Sequence, residues 1–149
     1  LLAFTGTDRR FEYKGQVNGV TIIDDYAHHP TEIRATQTLR DSTLTGGSGA
    51  FSSHTHTQEQ KPSLWSSPPL SLADEIVLAD IYAAREKDTL GISSETLQEE
   101  IRSLGHSCHY FPAFDEIENY LLKNCTKDDL LITMGAGDVV KVGENLLQK

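Results

Sequence analysis

Val20-Thr21-Ile22-Ile23-Asp24-Asp25-Tyr26-Ala27-His28-His29-Pro30-Thr31-Glu32-Ile33 is the stretch that decides the fold. Its first four residues are β-branched and mostly apolar, the composition of a strand buried on both faces in a parallel sheet. Pro30 suits the first turn of a helix, and the amphipathic run from Thr31 to Leu39 continues it. Two carboxylates, a phenol and two imidazoles therefore sit on a strand-to-helix junction. Open α/β sheets receive their ligands there, outside the carboxyl ends of the strands.

Working outward, Phe11 to Lys14 and Val20 to Asp24 read as two strands joined through a Gly15-to-Gly19 turn region. Glu75 to Ala79 is a further strand, followed by a loop carrying Tyr82 to Glu86. Ser93 or Ser94 caps a helix that runs to Leu104 and stops at Gly105. A short strand from His106 to Phe111 and a helix from Phe114 to Lys123 come next. Leu130 to Met134 is a strand, and Gly135-Ala136-Gly137 turns it into a last helix, Asp138 to Leu147. Strand and helix alternate through the second half, which means βαβ units and a parallel sheet. Residues 40–70 break the pattern. Gly46-Gly47-Ser48-Gly49, a Ser/Thr/His/Gln-rich run and Ser66-Ser67-Pro68-Pro69 read by themselves as a loop. A loop of that length is foreign to a compact domain.

Composition narrows the function. The 149 residues are 38% apolar and suit one domain with a sizeable core. A formal charge of −9 leaves no basic stripe to neutralise phosphates, which argues against a nucleic-acid partner. No apolar run is long enough for a membrane span, and no charged n-region with an apolar h-region opens the chain, so secretion is not expected. Cys108 and Cys125 are too few for a disulfide framework and lack metal-site spacing, so each reads as a buried, reduced thiol in a cytoplasmic protein. The chain opens on Leu1 rather than methionine, and is expected to be a piece of a longer protein.

Four segments, in order, resemble motifs of one family. They are Gly6-Thr7-Asp8-Arg9-Arg10-Phe11-Glu12, the decapeptide Asp24 to Ile33, Asp80-Ile81-Tyr82-Ala83-Ala84-Arg85-Glu86, and Met134-Gly135-Ala136-Gly137-Asp138. Together they are similar to the C-terminal domain of the Mur ligases, in the form that adds L-alanine to UDP-N-acetylmuramate. The Thr7-Asp8 pair departs from the usual lead-in; the arginines that follow do not. The resemblance implies an α/β fold, a Rossmann-like, mostly parallel sheet of about six strands flanked by helices, over residues 1–149. It also implies ATP-dependent ligation in peptidoglycan precursor synthesis, through an acyl phosphate that the amine attacks. ATP and Mg2+ would be held mainly by a central domain, and UDP by an N-terminal one, neither of them present here. No Gly-x-x-x-x-Gly-Lys-[Ser/Thr] loop occurs in the chain, so it is expected to be inactive alone.

The resemblance assigns roles residue by residue. Asp25 falls at the position that meets the nucleotide's ribose hydroxyls, a suitable task for a carboxylate. Arg10 falls where a guanidinium crosses the cleft to ATP, as the natural partner of phosphate oxygens. Tyr26 and His28 match positions approaching the UDP-muramyl substrate, and Tyr82 and Glu86 share that edge of the sheet. Asp24 reads as an orienting or capping residue, and His29, Pro30 and Glu32 as structural. The Gly135-to-Gly137 turn serves close helix–sheet packing, or offers its amides to an anion. No metal site is expected.

The family also has a strand and a histidine-threonine motif where residues 40–70 read as a loop. Permitted codons for Leu39 through Leu64, read out of frame, spell Val-Trp-Cys-Val-Phe-Gln-Pro-His-Thr from Gly47 to His56. They continue as Tyr-Thr-Arg-Thr-Lys-Ala-Phe from His56 to Ser63. Two compensating frame errors, near residues 39 and 71, would account for the departure; a low-complexity insertion is the alternative. Two functional rivals stand beside the alanine-adding reading. One is a ligase that recycles a murein tripeptide, and the other is a non-catalytic α/β binding module.

Overall fold

The computed structural model describes residues 10–27, 32, 35, 49–53, 73–80, 93–135 and 137–149. Six strands form one sheet: β1 (Glu12–Val17), β2 (Val20–Asp25), β3 (Gly49–Ser53), β4 (Glu75–Leu78), β5 (Cys108–Tyr110) and β6 (Leu130–Met134). Among the described residues, the helices whose bounds are defined are α1 (Ser94–Ser103), α2 (Phe114–Asn124) and α3 (Val140–Leu146). The spatial order is β1-β2-β6-β3-β4-β5. Among the described strands, only β1, at one edge, runs antiparallel to its neighbour; the other pairings are parallel. The α/β reading with a mostly parallel sheet of about six strands holds.

Side-chain alternation explains why both faces are covered. Successive residues of a strand face opposite sides, and in β2, β4 and β6 both sets are apolar. Ile23, Ile76, Leu78, Ile132 and Met134 pack with Ile101 of α1 on one face. Ile22, Val77 and Leu131 pack with Ile117 and Leu121 of α2 and Val142 and Leu146 of α3 on the other. Burying one such side chain stabilises by roughly 1.5–3 kcal/mol, so these two layers dominate the driving force.

Local signals set the boundaries. Asn18 and Gly19, at φ 52° and 82°, form the two-residue turn between β1 and β2. Two consecutive left-handed residues match the twist of a hairpin, and Asn-Gly supplies them at least cost. The first strand is thus longer than expected, reaching Val17, with a register shift between Tyr13 and Gly15 inside it. Ser93 caps α1 by accepting from the Thr96 amide at 3.1 Å. The helix expected over Asp138 to Leu147 is confined to Val140–Leu146, and the strand expected over His106 to Phe111 to Cys108–Tyr110. Of the helix expected from Thr31, the described residues are Glu32 and Ala35, and both are helical.

One expectation is corrected. The loop read over residues 40–70 contains β3, paired in parallel with β6 on one side and β4 on the other. Gly-Ala-Phe-Ser-Ser has little strand propensity. Position between two apolar parallel strands, whose amides and carbonyls need partners, overrides it.

Candidate functional site at the carboxyl rim of the sheet

The parallel strands end on one rim, where β2 delivers Asp25 and Tyr26, β6 delivers Gly135, and β4 delivers Ala79 and Asp80. Asp24 and Asp25 part company here, as neighbours on a strand must. Asp24 is fully buried and accepts a hydrogen bond from Thr133 Oγ1 on β6 at 2.6 Å. It thereby ties β2 to β6 below the rim. Asp25 is 5% exposed, and its Oδ1 accepts from the Ala27 amide at 3.0 Å. That Asx-type turn lifts the chain off the strand, and the Gly135 amide, donating to the Asp25 carbonyl at 3.0 Å, extends the β2–β6 ladder to the same level. Tyr26, next along, is exposed.

Arg10 reaches this corner because β1 is antiparallel to β2. Glu12 lies opposite Asp24, so the residues preceding Glu12 come level with those following Asp24. Phe11 turns the chain there in a left-handed conformation, φ 47°, while its ring packs against the core. A non-glycine residue in that region stores of order 1–3 kcal/mol of strain, held by the surrounding packing. Arg10 Nη1 then stands 3.4 Å from Glu32 Oε1, with its side chain half exposed. Such an exposed pair is worth at most about 1 kcal/mol, so the guanidinium is readily released to a stronger anion.

Arg10, Asp25 and Tyr26 are thus gathered at one corner. His28, Tyr82 and Glu86 lie outside the described residues, as do His29, Pro30 and Ala136. Across the rim, Tyr110 Oη donates to Asp80 Oδ1 at 2.7 Å. That hydrogen bond, with some burial, pushes the Tyr110 phenol up to about 12. The sequence reading gave Tyr110 no part, since a tyrosine on a short strand carries no signal of a partner thirty residues away. Among the described residues, no group of three His, Cys, Asp or Glu side chains is placed to hold a metal ion. No described helix is long and apolar enough to cross a membrane. Both cysteines are free; Cys108 is buried as expected, whereas Cys125 is only half-buried.

The chain matches the model of the glutamate ligase domain of the Mur ligases over residues 9–137. It belongs to the Mur ligase family. A UDP-N-acetylmuramate–L-alanine ligase of Agathobacter rectalis is 54% identical over 151 residues, which cover 98% of this chain and 32% of the relative. The chain therefore spans about a third of the length of the curated relatives it matches. Among solved structures, the UDP-N-acetylmuramate–alanine ligase of Thermotoga maritima superposes with a TM-score of 0.78 at 21% identity, over 97% of this chain and 30% of that one. A single domain from a UDP-N-acetylmuramate:L-alanyl-γ-D-glutamyl-diaminopimelate ligase of Haemophilus ducreyi gives a TM-score of 0.71 at 22% identity, covering 93% of this chain and 98% of that one. At such identities the structures speak to the fold.

Proposed function

We propose that this chain is the C-terminal domain, residues 1–149, of an ATP-dependent ligase that joins L-alanine to UDP-N-acetylmuramate, and that it closes over both nucleotides. The observation that carries the reading is the β1–β2 register. It brings Arg10 level with Asp25 and Tyr26 on the rim where such sheets take ligands. The residues fit a nucleotide: Arg10 presents a weakly held guanidinium, and Asp25, at the same level of the β1–β2 register, is held on a fixed turn.

In this reading Arg10 exchanges Glu32 for phosphate oxygens of ATP, and Asp25 accepts the ribose hydroxyls. Tyr26 and His28 approach the UDP-muramyl substrate, with Tyr82 and Glu86 on the same edge. ATP, with Mg2+ held by the central domain, would supply the phosphoryl group that activates the carboxylate of UDP-N-acetylmuramate. This chain orients and excludes water from it, and protecting an acyl phosphate from hydrolysis is the gain from closure. The reaction belongs to cytoplasmic peptidoglycan precursor synthesis.

The test is a fusion of this chain to the preceding two-thirds of the Agathobacter rectalis relative. Phosphate release should require ATP, UDP-N-acetylmuramate and L-alanine together, and should vanish when the chain is removed. Equal turnover without the chain, or turnover by the 149 residues alone, would refute the reading.

A further inference from the structure

Asp80 closes β4 and heads a motif whose other members carry the substrate assignments, yet it has no role in the function proposed so far. Its surroundings are unusually defined for an exposed side chain. Tyr110 Oη, from the end of the adjacent strand β5, donates to Oδ1 at 2.7 Å. The β4 end beneath it is pinned twice more. The buried Ser94 hydroxyl at the start of α1 donates to the Ala79 carbonyl at 2.8 Å, and the Phe111 amide donates to the Leu78 carbonyl at 3.0 Å. Three bonds from two elements thus fix where β4 ends, and one of them holds the carboxylate itself. Only Oδ1 is engaged by Tyr110, which leaves Oδ2 available to a ligand.

Asp80 and Asp25 cannot serve the same small group. They end β4 and β2, and β3 and β6 lie between these strands. Three inter-strand steps put them about 14 Å apart. Chemistry then selects the group that meets Asp80. The nucleotides offer a carboxylate their hydroxyls, and Asp25 already serves the ribose; of the three substrates only the amino acid itself bears a cationic donor, its ammonium group.

We propose that Asp80 is the subsite for the amino group of the incoming amino acid, and that Tyr110 is a positioning residue that holds its carboxylate. The inference rests on the ligase reading above. A preorganised acceptor spares the substrate the entropy of ordering an exposed side chain, and so acts on binding of the amine rather than of the nucleotides.

The experiment uses the same fused ligase with D80N and Y110F. For Y110F, KM for L-alanine should rise about tenfold, as expected for a lost hydrogen bond to a charged group, with kcat within about twofold and KM for ATP unchanged. D80N should raise the L-alanine KM further. A merely structural role would move all three constants together. In the 149-residue chain, NMR titration of Tyr110 should show the phenol ionising near 12, and in D80N falling back toward the ordinary value of about 10. An unchanged L-alanine KM in D80N, equal changes in every KM, or a Tyr110 titration indifferent to D80N would overturn the assignment while leaving the ligase reading intact. An unsubstituted fusion without turnover would refute both.

Discussion

Thr133 on β6 and Asp24 on β2 face each other across a parallel ladder, and the threonine hydroxyl donates to the buried carboxylate at 2.6 Å. The pair ties together the two strands whose ends form the Arg10 corner of the rim. Thr133→Val keeps the side-chain shape but removes the donor. A buried acceptor that loses a partner costs about 1–3 kcal/mol, and a charged one tends to the upper end. Urea unfolding should show that loss, while Thr133→Ser, which keeps the hydroxyl, should recover most of it.

Helix α3 lies close against the same pair. A Cβ at Gly143 would stand 2.9 Å from Ile22 Cγ2 and 3.3 Å from Thr133 Cγ2. Gly143→Ala should therefore destabilise by about 1–3 kcal/mol through overpacking. Alanine's helix propensity offsets roughly 1 kcal/mol of it. A rise in the thermal midpoint would contradict this account of the packing.

Stability should fall at alkaline pH. Burial pushes the Cys108 thiol up to about 12, against a small opposing influence of Arg102. Burial also raises Cys125 to about 11, with Asp129 adding to it. A group whose folded pKa lies above its unfolded value gives stability that is complete below the unfolded pKa and lost as pH climbs through the folded one. The window here runs from about 9 to 12. Denaturant midpoints should decline across it, and the decline should be shallower in Cys108→Ala. At pH 8 a thiol reagent should label Cys125, which is half-buried, before Cys108.

Arg10→Ala, in the fused ligase, should raise KM for ATP by about tenfold, the loss of one charge-assisted contact. Folding should change by less than about 1 kcal/mol, because the Glu32 pair is exposed. Asp25→Asn should also weaken ATP, and in addition loosen the turn at Ala27. Nucleotide affinity unaffected by either change would remove the corner from the site.

Strand β3 offers a test of the frame-error reading. A central parallel strand normally carries β-branched and aromatic residues, and here it reads Gly-Ala-Phe-Ser-Ser. Restoring the out-of-frame residues over 40–70 should raise the urea midpoint clearly. Resequencing should find the two compensating shifts. An uninterrupted frame in independent clones, with no gain in stability, would favour a genuine insertion.

Sequence alone determined most of the sheet, because the evidence for it is local. β-branched runs such as Val20 to Ile23 and Leu130 to Met134, serine caps and terminal glycines act within a few residues of where they sit. The position of Asp25 and Tyr26 at the carboxyl rim was legible for the same reason, since a strand followed by Pro30 and Thr31 places its polar tip at a sheet edge. Tertiary structure decided three things. The first is that β3 pairs between β6 and β4, where backbone hydrogen bonding outweighs weak propensity. The second is that Asp24 and Asp25 divide between core and rim, and that Arg10 is brought beside them by an antiparallel register. The third is the bond from Tyr110 to Asp80, thirty residues apart. Such contacts depend on which strands become neighbours, and strand order is set by how the whole chain buries its two apolar layers, not by any one segment.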